Sequence, residues 1–64
     1  MVYINGKEYD YVNANLSDVL EELEYESVRI AVEINEEIIP KATYGETIIK
    51  DGDVVEVVSF VGGG

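Results

Sequence analysis

Alternating apolar and polar residues predict strands in the second half of the chain. The segment VRIAVEIN (28–35) alternates throughout, which is typical of a strand with one buried face. The segment VVEVVSFV (54–61) is almost continuously apolar, which favours a central strand covered on much of both faces. A short edge strand is predicted at 37–39, because Pro40 interrupts any regular element there. The apolar face of the strand at 28–35 consists of Val28, Ile30, Val32 and Ile34.

Two further strands and a tight turn are predicted at the start of the chain. VYI (2–4) and YDYV (9–12) are rich in valine, isoleucine and tyrosine, which favour strands. Asn5 and Gly6 lie between them, and this dipeptide accepts the positive φ angles of a hairpin turn. The sequence therefore predicts a hairpin.

One helix is predicted, over NLSDVLEELEY (15–25). Its apolar residues follow the spacing i, i+3, i+4, i+7, which places them on one face, and acidic residues cover the other. Asn15 is a favourable N-cap, and Asp18 resembles the second residue of a capping box. The apolar face contains Leu16, Val19, Leu20 and Leu23.

Shorter elements complete the chain between the edge strand and the last strand. The loop after the edge strand carries Tyr44, for which we predict a packing role. Ile48 and Ile49 are expected to fill the core from a short strand. The segment KDGD (50–53) predicts a turn with Gly52 at its tightest point.

The predicted order β–β–α–β–(β)–β indicates the fold class. A single helix covers only one face of a sheet, so we expect a two-layer α+β domain with one mixed sheet and one main helix. The last strand can lie centrally beside the first, which is the β-grasp arrangement of ubiquitin. We predict a β-grasp domain over 1–61 and a flexible C-terminal glycine tail over 62–64.

Charge and composition narrow the classes of partner. The chain has 64 residues, of which 14 are acidic and 4 are basic, giving a net charge of −10. Such a surface repels phosphate backbones, so nucleic-acid binding is not expected, and a protein with a basic face is the favoured partner. No segment is long and apolar enough to cross a bilayer and no signal peptide is recognised, so we expect no membrane association and a cytoplasmic location.

The residue types argue against an independent enzyme. The chain contains no cysteine and no histidine, which removes thiol nucleophiles, imidazole bases and the usual zinc and haem ligands. The acidic segment EELEYE (21–26) lacks the ligand spacing of a calcium loop. Paired carboxylates need a cleft that so short a chain is not expected to build. We therefore predict no bound metal and no cofactor held by the chain itself.

The most informative stretch is the last one, where an apolar segment runs into three glycines. We interpret the Gly64 carboxylate as the reacting group. Gly62 and Gly63 have no Cβ atoms, so the backbone can thread into a narrow partner site. Phe60 and Val61, directly before the glycines, are candidates for a partner interface, although Phe60 is equally compatible with a core position. The alternative is a frayed terminus without a function.

Over essentially its whole length the chain resembles the ThiS family, the ubiquitin-like sulfur carriers of thiamine (thiazole) biosynthesis. The DGD turn combined with terminal glycines and this length is the most specific part of the resemblance. Within the middle segment, Asn35, Pro40 and Tyr44 stand at matching positions. The matching segments are ING (4–6), NLSDVLEEL (15–23), IAVEINEEIIPKATY (30–44) and DGDVVEVVSFVGGG (51–64).

The resemblance implies a carrier that is a co-substrate and not an enzyme. A ThiF-type adenylating enzyme would use ATP and magnesium to adenylate the carboxylate of Gly64. A persulfide donor such as a cysteine desulfurase would supply sulfur, and the resulting thiocarboxylate would pass to a ThiG-type thiazole synthase. The alternatives are the small subunit of molybdopterin synthase, a carrier of another sulfur pathway, a ubiquitin-like modifier and an acidic protein-binding module.

Overall fold

The chain folds into one mixed sheet with a helix lying across one face, in a computed structural model that describes residues 1–60. Two short 3₁₀ helices, Ser27–Arg29 and Lys41–Glu46, join the main elements. The main elements are β1 (Val2–Ile4), β2 (Lys7–Tyr9), α1 (Leu16–Glu22), β3 (Ile30–Ile34), β4 (Glu37–Ile39) and β5 (Val54–Ser59).

The last strand lies at the centre of the sheet. The strand order is β2-β1-β5-β3-β4, with β5 parallel to β1 and antiparallel to β3. Both outer strands belong to antiparallel hairpins, β1–β2 and β3–β4. This topology confirms the predicted α+β β-grasp fold and the central position of the last strand. Among residues 1–60, no helix has the length and apolar character needed to span a membrane.

The first hairpin is tighter than the sequence predicts. Asn5 and Gly6 adopt φ angles of 50° and 83°, which confirms the predicted turn. This two-residue turn pairs Ile4 directly with Lys7, so β2 begins immediately after it. The prediction of a strand at 9–12 is therefore wrong apart from Tyr9. Asn35 and Glu36, with φ angles of 52° and 68°, form a second turn of this kind between β3 and β4.

The Asn5 side chain extends the pairing of β1 with β5 beyond the end of β1. Its amide nitrogen donates to the Val57 carbonyl at 3.1 Å, and its amide oxygen accepts from the Val57 N–H at 2.8 Å. The Asn5 backbone N–H also donates to the Val55 carbonyl at 2.9 Å. The side chain therefore replaces a missing strand neighbour at the centre of the sheet.

We expect two replacements of Asn5 to separate the contribution of its side-chain hydrogen bonds to stability from that of its turn angle. Asn5→Gly retains the positive φ angle but loses the two side-chain hydrogen bonds to Val57 and the longer one to the Tyr25 hydroxyl, at a cost of about 2 kcal/mol. Asn5→Ala loses the same hydrogen bonds and in addition places a residue with a Cβ atom at a left-handed φ angle, which alanine rarely adopts. The free energy of unfolding should therefore fall by about 1 kcal/mol more. Urea unfolding of both variants measures the difference, and equal stability of the two would contradict a contribution from the turn angle.

The helix begins and ends with identifiable caps. The Asn15 side-chain oxygen accepts from the N–H groups of Ser17 at 2.9 Å and Asp18 at 3.3 Å, which confirms the predicted N-cap. The helix ends at Glu22 and not at residue 25, because Glu24 adopts a left-handed φ of 66°. The Tyr25 N–H then donates to the Leu20 carbonyl, as in a Schellman motif. Glycine is the usual residue at this position, so a glutamate there is a weak signal for the end of a helix.

The core lies between α1 and one face of the sheet. Tyr44 is 4% exposed, which confirms its packing role, and Ile49 is fully buried. Ile48 is 46% exposed and forms only an isolated bridge with Asn15, so the predicted short strand and the core position of Ile48 are wrong, whereas the core position of Ile49 is confirmed. The core residues are Val2, Ile4, Leu16, Val19, Leu20, Ile30, Val32, Ile34, Tyr44, Ile49, Val55 and Val57.

Two further burial predictions are corrected by the structure. Val28 lies in the 3₁₀ turn before β3 and is 76% exposed, because the strand begins only at Ile30. Strand β5 alternates, with Val55 and Val57 buried and Val54 and Val58 exposed. The second face of β5 stays exposed because the single helix covers only the other face. The prediction of burial on much of both faces is therefore wrong.

The buried phenol of Tyr44 should make the folded domain less stable at high pH. Burial raises the pKa of its phenol from the usual 10.0, and a hydrogen bond with the Val32 backbone lowers that pKa by less. Because the folded state holds this proton more tightly, the contribution is present below about pH 10 and is lost as pH rises through the folded pKa. Tyr44→Phe should show a shallower fall in unfolding free energy between pH 9 and 11 (roughly the window set by a phenol pKa), measured by urea titration. Parallel slopes in the two proteins would contradict this assignment.

Candidate functional site

Strand β5 leads from the centre of the sheet towards the predicted reacting end of the chain. Backbone pairing continues past the strand, because the Phe60 N–H donates to the Arg29 carbonyl at 2.7 Å. Phe60 is 54% exposed, so the alternative of a core position is wrong, and its role at a partner interface stays a prediction. The other predicted site residues, Val61, Gly62, Gly63 and Gly64, lie outside the described residues, as does the predicted boundary between domain and tail.

An exposed apolar surface lies on the sheet face opposite α1. We call this surface the open face. The sheet register places Tyr3 beside Val54, and Val58 beside Ala31, on this side. At the edge of the sheet, Ile38 is 72% exposed. The large apolar residues of the open face are Tyr3, Ile38, Val54 and Val58.

The centre of the open face is acidic. Glu33 on β3 lies directly opposite Glu56 on β5, and both side chains are exposed. In the part of the chain that the structure describes, the ion pairs involve Glu26 and Asp51, so neither central glutamate is paired with a cation there. Directly opposed like charges destabilise a sheet. The central pair is therefore unfavourable for the isolated domain.

A shallow depression of 440 Å³ adjoins this pair. It is lined by Glu33, Asn35, Glu36, Val54 and Glu56. The three carboxylates repel the phosphates of a nucleotide. Within residues 1–60 no group of three or more acidic, histidine or cysteine side chains is arranged to hold a metal ion. The geometry of this face therefore favours contact with a protein over binding of a nucleotide.

Structural roles explain the three positions of the middle segment on which the family resemblance rests, Asn35, Pro40 and Tyr44. The Asn35 amide donates to the Asp53 carboxylate at 3.0 Å and accepts from the Val54 N–H at 3.0 Å, which fixes the start of β5. Pro40 precedes the 3₁₀ helix that carries Tyr44 into the core. Asn35 therefore positions the central strand, and Tyr44 fills the core.

Sequence reasoning missed the open face, although a signal for it was present. A single helix covers one face of a five-stranded sheet, so alternate residues of every strand must remain exposed. Applied to β5, this rule leaves Val54, Glu56 and Val58 without cover. The opposition of Glu56 to Glu33 depends on strand register, which the sequence did not specify.

Comparisons with known proteins agree with the fold. The family model described as "ThiS family" matches residues 2–64. The sulfur carrier protein ThiS of Bacillus subtilis is 39% identical over 66 residues, with 100% of each chain covered. The crystal structure of the thiamine biosynthesis protein ThiS from Geobacter metallireducens superposes with a TM-score of 0.77 at 31% identity, covering 98% of this chain and 97% of that one.

A second kind of relative is much longer than this chain. The thiazole synthase of Paramagnetospirillum magneticum is 42% identical over 62 residues, which cover 95% of this chain and 19% of that protein. The chain therefore spans about a fifth of this relative, whereas it spans the whole of the Bacillus protein. With a family model matching all but the first residue and full-length relatives of the same ubiquitin-like fold, the chain belongs to the ThiS family.

Proposed function

We propose that this chain is a sulfur carrier of thiamine biosynthesis that bears its sulfur as a thiocarboxylate on Gly64. The full-length match to proteins named as sulfur carriers, in Bacillus subtilis and Thermus thermophilus, carries this proposal. The fold supports it, since the central strand is followed in sequence by Phe60, Val61 and three glycines. The chain acts as a carrier and not as an enzyme.

The proposed chemistry proceeds in three steps. The Gly64 carboxylate attacks the α-phosphorus of ATP, pyrophosphate leaves, and an acyl-adenylate forms. The terminal sulfur of a persulfide attacks the carbonyl carbon, AMP leaves, and an acyl disulfide results. A thiol then reduces the sulfur–sulfur bond, which leaves the thiocarboxylate on the carrier and a disulfide on the donor side. Adenylation is needed because a carboxylate at neutral pH is a poor electrophile.

The partners in this proposal supply what the carrier lacks. ATP and magnesium are bound by a ThiF-type adenylating enzyme, because the acidic open face repels phosphates. The persulfide comes from a donor such as a cysteine desulfurase, since the carrier has no cysteine. A ThiG-type thiazole synthase accepts the sulfur, supported by two relatives named thiazole synthase that contain a matching segment. We place these reactions in the cytoplasm.

Intact-mass measurement tests the proposal. The chain is incubated with a ThiF-type enzyme, ATP, magnesium, a cysteine desulfurase, cysteine and a thiol reductant. We expect a mass change corresponding to replacement of one terminal oxygen by sulfur, and thiazole formation when a thiazole synthase and its other substrates are added. Covalent ladders would instead indicate a ubiquitin-like modifier. No mass change with a competent enzyme would indicate an acidic binding module.

A further inference from the structure

Two glutamates with no cation partner in the described residues occupy the middle of the exposed apolar surface. Glu33 and Glu56 oppose each other across β3 and β5. Hydrogen bonds on either side, from Asn35 N–H to the Val54 carbonyl and from Phe60 N–H to the Arg29 carbonyl, show that the register holds along this strand pair. Opposed side chains in such a pair lie about 5 Å apart at their Cβ atoms. The two carboxylates can therefore bind one cationic group between them.

The residues around this pair favour burial of that cationic group. Val54 and Val58 flank Glu56 on β5, and Ile38 lies opposite Glu33 on β4. These three side chains are 45%, 56% and 72% exposed. An apolar partner surface that covers them excludes water from the central carboxylates. Ionic hydrogen bonds at such a site are strong, and an unpaired charge there is costly.

We propose that Glu33 and Glu56 together bind a basic side chain of the adenylating enzyme, which docks on the open face. This inference rests on the proposed function and adds the residues that select the partner. The two carboxylates repel each other in the free carrier and are neutralised in the complex. The pair therefore lowers the stability of the domain and raises its affinity for the enzyme.

Charge and geometry favour the adenylating enzyme as the partner that docks on the open face. A second copy of the chain would bring another surface of the same sign, since the net charge is −10. The adenylating enzyme must also receive the C-terminal residues, and these follow Val58 within a few positions in the sequence. Pairing continues to Phe60, so strand alternation places this residue on the same side as Val58. Docking on the open face therefore brings Phe60, which precedes the tail in the sequence, to the enzyme.

Binding and stability measured on the same variants test this proposal. The variants are Glu33→Gln, Glu56→Gln and Glu56→Lys, and Glu21→Gln on the exposed side of α1 is the control with the same change of charge. Affinity for the purified ThiF-type enzyme is measured by calorimetry at two salt concentrations. We expect each glutamine variant to lose affinity about tenfold or more and Glu56→Lys to lose more still, with a weaker salt dependence. Glu21 is a surface charge remote from the open face, so Glu21→Gln should change affinity by less than about threefold.

Stability distinguishes recognition from damage to the fold. Glu56→Lys places opposite charges across the strands, so this variant should unfold at a higher urea concentration than the wild type while binding less well. Equal affinities of the Glu33, Glu56 and Glu21 variants would overturn the proposal, as would lost affinity accompanied by lost stability. Dimerisation of the wild type through the open face, or an effect confined to a thiazole synthase, would also overturn it. Absence of adenylation in the wild type would instead overturn the proposed function.

Discussion

Moving the terminal carboxylate by one residue is expected to abolish sulfur loading without changing the fold. Two chains test this expectation, one ending at Gly63 and one with a glycine added after Gly64. Each residue of extended chain spans about 3.5 Å, so the carboxylate falls short of the reacting position in the first chain and overshoots it in the second. A misplacement of only about 1 Å can cost a factor of about 100 in rate. We expect at least this loss in both chains.

The readout is the rate at which the intact mass changes in the loading reaction. A third protein, with the full-length chain amidated at Gly64, keeps the length but lacks the carboxylate and should not react at all. All three proteins retain residues 1–60, so their urea midpoints should equal that of the wild type. Loading of the amidated protein would contradict the proposed function. Unchanged loading of the shorter and longer chains would show that the length of the tail does not determine whether the carboxylate reaches the reacting position.

The second large effect is expected at Ile49, with its neighbour Ile48 as the control. Ile49 is fully buried, whereas Ile48 is 46% exposed. Ile49→Ala removes buried methyl groups and leaves a cavity, at a cost of about 2–5 kcal/mol. A domain of this length has a total stability of only about 3–10 kcal/mol. Ile49→Ala should therefore lose about half of the stability of the domain and unfold at a much lower urea concentration.

The backbone around Ile49 strengthens this expectation. Its N–H donates to the Ala14 carbonyl at 2.8 Å, and its carbonyl accepts from the Asn13 N–H at 2.7 Å. The segment is therefore fixed against the start of the helix and cannot easily collapse into the cavity. Ile48→Ala should cost less than about 1 kcal/mol. Circular dichroism during urea titration compares the two variants, and similar midpoints would show that Ile49 is not a core anchor.

The sequence predicted the parts of this fold that depend on local rules. Asn5 and Gly6 specify a tight turn through their tolerance of positive φ, and Asn15 specifies the start of the helix. The central position of the last strand beside the first also followed, because one helix and a late apolar strand leave few arrangements of a mixed sheet.

Other features depend on contacts that a pattern does not contain. Val28 fits the alternation of β3, but a 3₁₀ turn before Ile30 removes it from the strand. Glu24 ends the helix without the glycine that normally marks such a stop. For the candidate site, the glycines and Phe60 were visible in sequence, whereas the acidic centre of the open face emerged only when strand register set Glu33 against Glu56.

The central position of β5 also determines how the domain responds to mechanical force. Its hydrogen bonds to the antiparallel strand β3 run roughly perpendicular to the strand, and those to the parallel strand β1 run at a slant across it. A pull on the C-terminal end along the strand therefore loads the bonds on both sides in shear, all at once, instead of opening them one after another. A protease or unfoldase that pulls on the C-terminal end therefore loads the central strand of the sheet first.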